Sequence, residues 1–158
     1  MNPIGTSKVY FWISVILPLL LLAGAAAWVA LTWDAIPEEI PDHFDLAGQP
    51  DGWGGRGTIW INLGMGLGFY VLLLVTSFFP KSWRIRGLGR RADPTVALPA
   101  TGGMLADYRL TIPSMMIFLS LWGVLGIPGP GWIVPAVMSV LILLPLARFL
   151  LRVYVLHR

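Results

Sequence analysis

The chain contains no cysteine, only two histidines and, among its 158 residues, only 12% that carry charge. Without cysteine there is no disulfide, no thiol nucleophile and no cysteine-ligated metal, and the redox compartment leaves no mark on the sequence. The few charges are also unevenly placed. Four runs, Val9–Trp33, Thr58–Pro80, Leu110–Ile127 and Trp132–Ala147, hold 25, 23, 18 and 16 residues and not one Asp, Glu, Lys, Arg or His. A helix rises about 1.5 Å per residue, so roughly 20 apolar residues cross a bilayer core of about 30 Å. The first three runs are long enough, and the fourth continues through Phe149, Leu150 and Leu151 once Arg148 snorkels to the headgroups. The predicted spans are 9–33, 58–80, 110–127 and 132–151. They leave no room for a large soluble domain. Residues 1–158 read as one polytopic, all-α membrane domain of four transmembrane helices.

The basic residues set its orientation, because Lys and Arg are retained on the cytoplasmic side of short loops. With both termini cytoplasmic, Lys8, Lys81, Arg84, Arg86, Arg90, Arg91, Arg109, Arg148, Arg152 and Arg158 fall inside and Arg56 alone falls outside. The net charge of +3 is therefore read as topogenic, with no nucleic-acid partner. The first run is read as a retained span, since its 25 apolar residues exceed the roughly 7–15 of a signal-peptide core. The inner basic loop, 81–109, opens with Lys81, Arg84, Arg86, Arg90 and Arg91 among apolar residues, a pattern suited to anionic headgroups or to a solvated loop. Its remainder, Ala92–Asp107, carries two prolines and two glycines and reads as irregular linker.

Within the spans, Pro18 predicts a mild kink in the first helix and Pro145 a bend in the fourth. Gly64 and Gly68 form a GxxxG pair on one face of the second, read as helix packing within the domain, with homodimerisation as the other use. Asn62 reads as a helix-packing residue that hydrogen-bonds to a neighbour. Pro128-Gly129-Pro130-Gly131 joins spans three and four as an antiparallel hairpin.

The outer loop, 34–57, is the informative segment. Pro37 and Pro41 restrict the approach to His43, while Gly48 and Pro50-Asp51-Gly52 reverse the chain. Ile36, Ile40, Phe44 and Trp53 are expected to pack onto the helix tops, giving a short ordered extracytoplasmic cap that gathers His43, Asp45 and Asp51. Three readings of that cluster stand side by side. In the first, Asp51 orients the His43 ring and Asp45 caps a turn. In the second, the cluster recognises a ligand or partner. In the third, His43, Asp45 and Asp51 hold a divalent metal, although one imidazole without cysteine is a thin ligand set. No cofactor is otherwise expected.

The series Ile36-Pro37-x-x-Ile40-Pro41-x-His43-Phe44-Asp45-x-x-Gly48-x-x-Asp51-x-Trp53 resembles the signature of the membrane family called domain of unknown function 1648, with Arg56 at the family's trailing basic position. That domain occurs in SdpI-type proteins, the immunity and signalling partners of a secreted bacterial toxin. The resemblance implies a multi-pass protein of the prokaryotic inner membrane whose motif, Pro41, His43, Phe44, Asp45, Gly48, Asp51, Trp53 and Arg56, meets a secreted peptide, a toxin or a partner membrane protein. Other function classes remain beside it. A membrane-surface metal enzyme built on His43 lacks any Ser, Thr, Cys or Lys nucleophile in 34–57. A proton-coupled transporter needs ionisable groups within the spans, and the apolar runs contain none, which leaves passive passage of a hydrophobic substrate.

Overall fold

A computed structural model describes residues 6–80, 94–126 and 130–154. Helix α1 spans Lys8–Leu31, α2 Thr58–Ser77, α3 Pro94–Leu125 and α4 Ile133–Tyr154. All four are long and apolar enough to cross a membrane, and the chain is a multi-pass membrane protein. Strands β1, Glu39–Phe44, and β2, Pro50–Gly55, lie between α1 and α2 and pair antiparallel. The segment expected as an ordered loop is thus a β-hairpin.

Local chemistry sets the helix ends. Ser7 Oγ accepts a hydrogen bond from the Tyr10 amide at 3.2 Å and caps the start of α1. A 3-10 turn over Trp33–Ala35 follows Leu31, and Pro37 prevents further helix. At the start of α2, the Thr58 hydroxyl donates to the Gly55 carbonyl at 3.0 Å.

Helix α3 departs furthest from expectation. It begins at Pro94, so the stretch read as linker up to Asp107 is helical from that point. Proline is well suited to a first helical position, because its missing N–H has no partner there anyway. Gly103 beyond it serves close packing: a side chain there would meet the Arg152 guanidinium of α4. Lys81, Arg84, Arg86, Arg90 and Arg91 lie outside the described residues.

Helix α3 packs against α1, α2 and α4, and its far end meets β1. The apolar core sits at the hairpin end: Leu22, Ala25 and Val29 of α1 join Ile59 and Leu63 of α2 beneath Ile36 and Ile40. Burial of these branched side chains ties the hairpin to the helices, each contributing about 1.5–3 kcal/mol of transfer free energy where the alternative is water.

Candidate functional site

Hairpin geometry follows from where its two strands fall out of step. Pro41 pairs with Trp53, His43 with Gly52 and Phe44 with Pro50. Asp42 on β1 and Asp51 on β2 are thus each the extra residue of a register shift. Such bulges re-aim side chains and increase twist. The Asp51 shift brings its Oδ1 to 2.5 Å from His43 Nδ1. Both members of this pair are open to solvent, with side chains 72% and 46% exposed. Glycines opposite give the room: a side chain at Gly54 would run into the Asp42 carboxylate, and one at Gly52 would come within 2.8 Å of the His43 Cβ.

The turn is held by Asp45. Its Oδ1 accepts from the Gln49 amide at 2.8 Å, and its backbone exchanges hydrogen bonds with Gly48 and Gln49 at 2.9 Å. Gly48 adopts φ +74°, a conformation that disfavours other residues. Its α-carbon faces the Gly131 backbone of the α3–α4 connection, where a Cβ would collide. At the other edge, a Cβ on Gly123 of α3 would lie 2.5 Å from the Pro41 carbonyl oxygen. Glycine on α3, at the hairpin tip and in the α3–α4 turn thus lets the hairpin lie directly on the helices.

The motif residues divide by environment. Arg56 does not pair with Asp51. Its Nη1 donates to the carbonyls of Trp33 at 2.8 Å and Ile36 at 3.1 Å, and its guanidinium sits 4.6 Å from the Trp33 ring centroid. It fastens the base of the hairpin to the end of α1. Phe44 is half-buried, but Trp53 is 59% exposed and does not cover the helix tops as expected. Among the described residues, no three His, Cys, Asp or Glu side chains converge in a way that could hold a metal ion.

Two concavities flank β1. A groove of about 510 Å³ runs between the hairpin and the α3–α4 pair, with Asp42, His43 and Asp45 on one wall and Leu119, Met138 and Ile142 among the others. A pocket of about 190 Å³ lies on the α2 side, lined by Asn62, Met116 and again Asp42. Asn62 therefore opens to a pocket. Among the described residues a Cβ at Gly64 or Gly68 would meet nothing within 4 Å, whereas the absent Cβ of Gly66 would lie 3.3 Å from Met116, which makes Gly66 the packing glycine of α2 there.

The largest surprise lies at the opposite end of the helices. Asp107 and Arg109 of α3 are buried, as are Ser14 and Ser77. The Tyr10 hydroxyl donates to Asp107 Oδ1, and Arg148 Nη1 donates to the same oxygen at 2.9 Å. Arg109 Nη2 donates to Ser14 Oγ at 2.7 Å and Nη1 to Ser77 Oγ at 3.3 Å, while Nε is buried without a partner among the described residues. One polar layer thereby ties all four helices together. The reading that the spans carry no ionisable group holds for the apolar runs and fails for the helices. Arg109, placed on the inner loop by its charge, is part of the packed interior.

Residues 19–67 match the family model described as a domain of unknown function (DUF1648). The match runs from the middle of α1 through the hairpin into α2. No curated protein and no solved structure matches the chain.

Proposed function

We propose, from the premise that residues 19–67 are a DUF1648 domain, that this is a prokaryotic inner-membrane protein that acts by binding. Its ligand meets the β-hairpin on the extracytoplasmic side. The observation that carries the proposal is the exposed His43–Asp51 pair on a hairpin that lies directly on the helices. Six carboxylates against one inward-turned arginine leave the segment from Asp34 to Gly57 strongly acidic. Such a field attracts cationic ligands and repels anionic ones. The distribution of basic residues supports cytoplasmic termini, which would place the hairpin outside. The resemblance to SdpI-type proteins supports toxin immunity or signalling as the biological setting.

A metal-dependent enzyme at His43 has less support, because His43 Nδ1 is taken by Asp51 and, among the described residues, no three potential ligand side chains converge. Expression in a host sensitive to secreted bacterial toxins tests the immunity setting. Survival is expected to rise with the wild-type chain and not with Asp51→Asn. Equal protection by both, or by neither, removes the hairpin from that role.

A further inference from the structure

The groove beneath β1 has two unlike halves. Its apolar wall follows α4 from Val134 through Met138 to Leu143, with Leu119 of α3 beside it. Nine helical steps at about 1.5 Å give a length of roughly 14 Å along the helix axis. Its hairpin wall carries Asp42, His43 and Asp45. A volume of about 510 Å³ falls within the roughly 300–1,000 Å³ usual for small-molecule sites. It is too small for a helical peptide, whose diameter with side chains is about 10–12 Å.

We propose that this groove seats a single-chain amphiphile with a cationic head, its tail along α4 and its head beside Asp42 and Asp45. The proposal rests on the binding role assigned above to the hairpin and names the ligand class for it. Charge complementarity selects this occupant over an ordinary lipid. An acidic wall repels phosphate-bearing and sulfate-bearing heads and attracts an ammonium. Asp45 gives one oxygen to the Gln49 amide and has the other to offer. The Asp42 carboxylate lies over Gly54 and, among the described residues, forms no ion pair. Each carboxylate at such an exposed site contributes about threefold in affinity, so the pair gives a preference of about tenfold.

The test uses the full chain in phosphatidylcholine nanodiscs with a dodecyltrimethylammonium probe that carries a diazirine in its tail. Cross-links are mapped by peptide sequencing. They are expected on the groove face of α4, around Met138 and Ile142. Unlabelled dodecyltrimethylammonium is expected to compete at concentrations about tenfold lower than dodecyl sulfate or dodecylphosphocholine. Two variants separate the halves. Met138→Trp fills the groove, and Asp42→Asn with Asp45→Asn removes charge while an amide oxygen still caps the turn. The first is expected to abolish the α4 cross-links and the second to erase the preference for the cation. Equal competition by all three amphiphiles overturns the proposal and leaves a seat for bulk lipid. Loss of labelling in the charge variant but not in Met138→Trp also overturns it, yet keeps a hairpin that binds cations elsewhere. Labelling untouched by either variant sinks the groove and the binding role of the hairpin acids together.

Discussion

Arg109 shows how a single residue misleads a hydropathy reading. It is wholly buried against Ser14, Ser77 and the Phe11 ring, yet among the described residues no carboxylate pairs with it. Both serine hydroxyls also donate to backbone carbonyls, Ser14 to Phe11 at 2.8 Å and Ser77 to Leu73 at 2.7 Å. Removing the guanidinium therefore leaves no orphaned donor. Replacing a buried charge by an apolar side chain of similar volume is commonly neutral or stabilising by about 1–4 kcal/mol. Arg109→Met is accordingly expected to keep or raise the midpoint of thermal unfolding in nanodiscs. Asp107→Ala acts oppositely, because the Tyr10 hydroxyl and Arg148 lose their shared acceptor. It is expected to destabilise by about 1–3 kcal/mol, the cost of an unmet buried polar group. A reversed order of the two midpoints would show that Arg109 and not Asp107 holds the layer. On the surface the magnitudes are smaller. The His43–Asp51 pair is exposed, so Asp51→Asn should move stability by no more than about 1 kcal/mol. A larger shift in a denaturant titration would give this pair a structural role at the expense of recognition.

Elements were legible in the sequence where composition alone determines them, and illegible where tertiary contact does. The apolar runs became α1, α2, α4 and the second half of α3, because each is uncharged and uniformly apolar. The start of α3 was hidden by its two prolines, two glycines, Asp107 and Arg109. The stretch to Asp107 reads as linker only until Tyr10 of α1 and Arg148 of α4 pair with its carboxylate and Arg152 fills the space over Gly103. The hairpin was half legible. Gly48 and Asp45 marked the turn, but Pro50-Asp51-Gly52, expected to reverse the chain with Gly48, is the start of β2; Pro-Asp-Gly-Trp-Gly-Gly lacks the alternation of a strand, and its glycines make room for Asp42 and His43. Gly64 and Gly68 were misplaced for a related reason: GxxxG spacing names a face but not the helix that meets it. Gly66→Leu should therefore destabilise the chain by about 1–3 kcal/mol through overpacking on Met116, whereas Gly64→Leu should leave the monomer's stability unchanged. Gly123→Ala should lift β1 from α3, and faster amide exchange across Glu39–Gly55 with little change in the helices would report it. Unaltered exchange there would mean that the hairpin is not held by this close approach.

At the scale of the whole molecule, the two ends are unlike. A polar layer of Tyr10, Ser14, Ser77, Asp107, Arg109 and Arg148 closes one end, and an apolar cluster capped by the acidic hairpin closes the other. The DUF1648 match covers the hairpin and the portions of α1 and α2 that carry it, so the recognisable part of the chain is the capped end. Binding from outside the cell requires that end to face outward, and the absence of native cysteine makes the question directly measurable. Leu46 stands at the hairpin tip, 95% exposed. In intact cells producing Leu46→Cys, a membrane-impermeant maleimide should label the chain, while Gly89→Cys should react only after permeabilisation. Labelling of Gly89→Cys in intact cells, with Leu46→Cys protected until the membrane is opened, would place the hairpin in the cytoplasm and contradict the account.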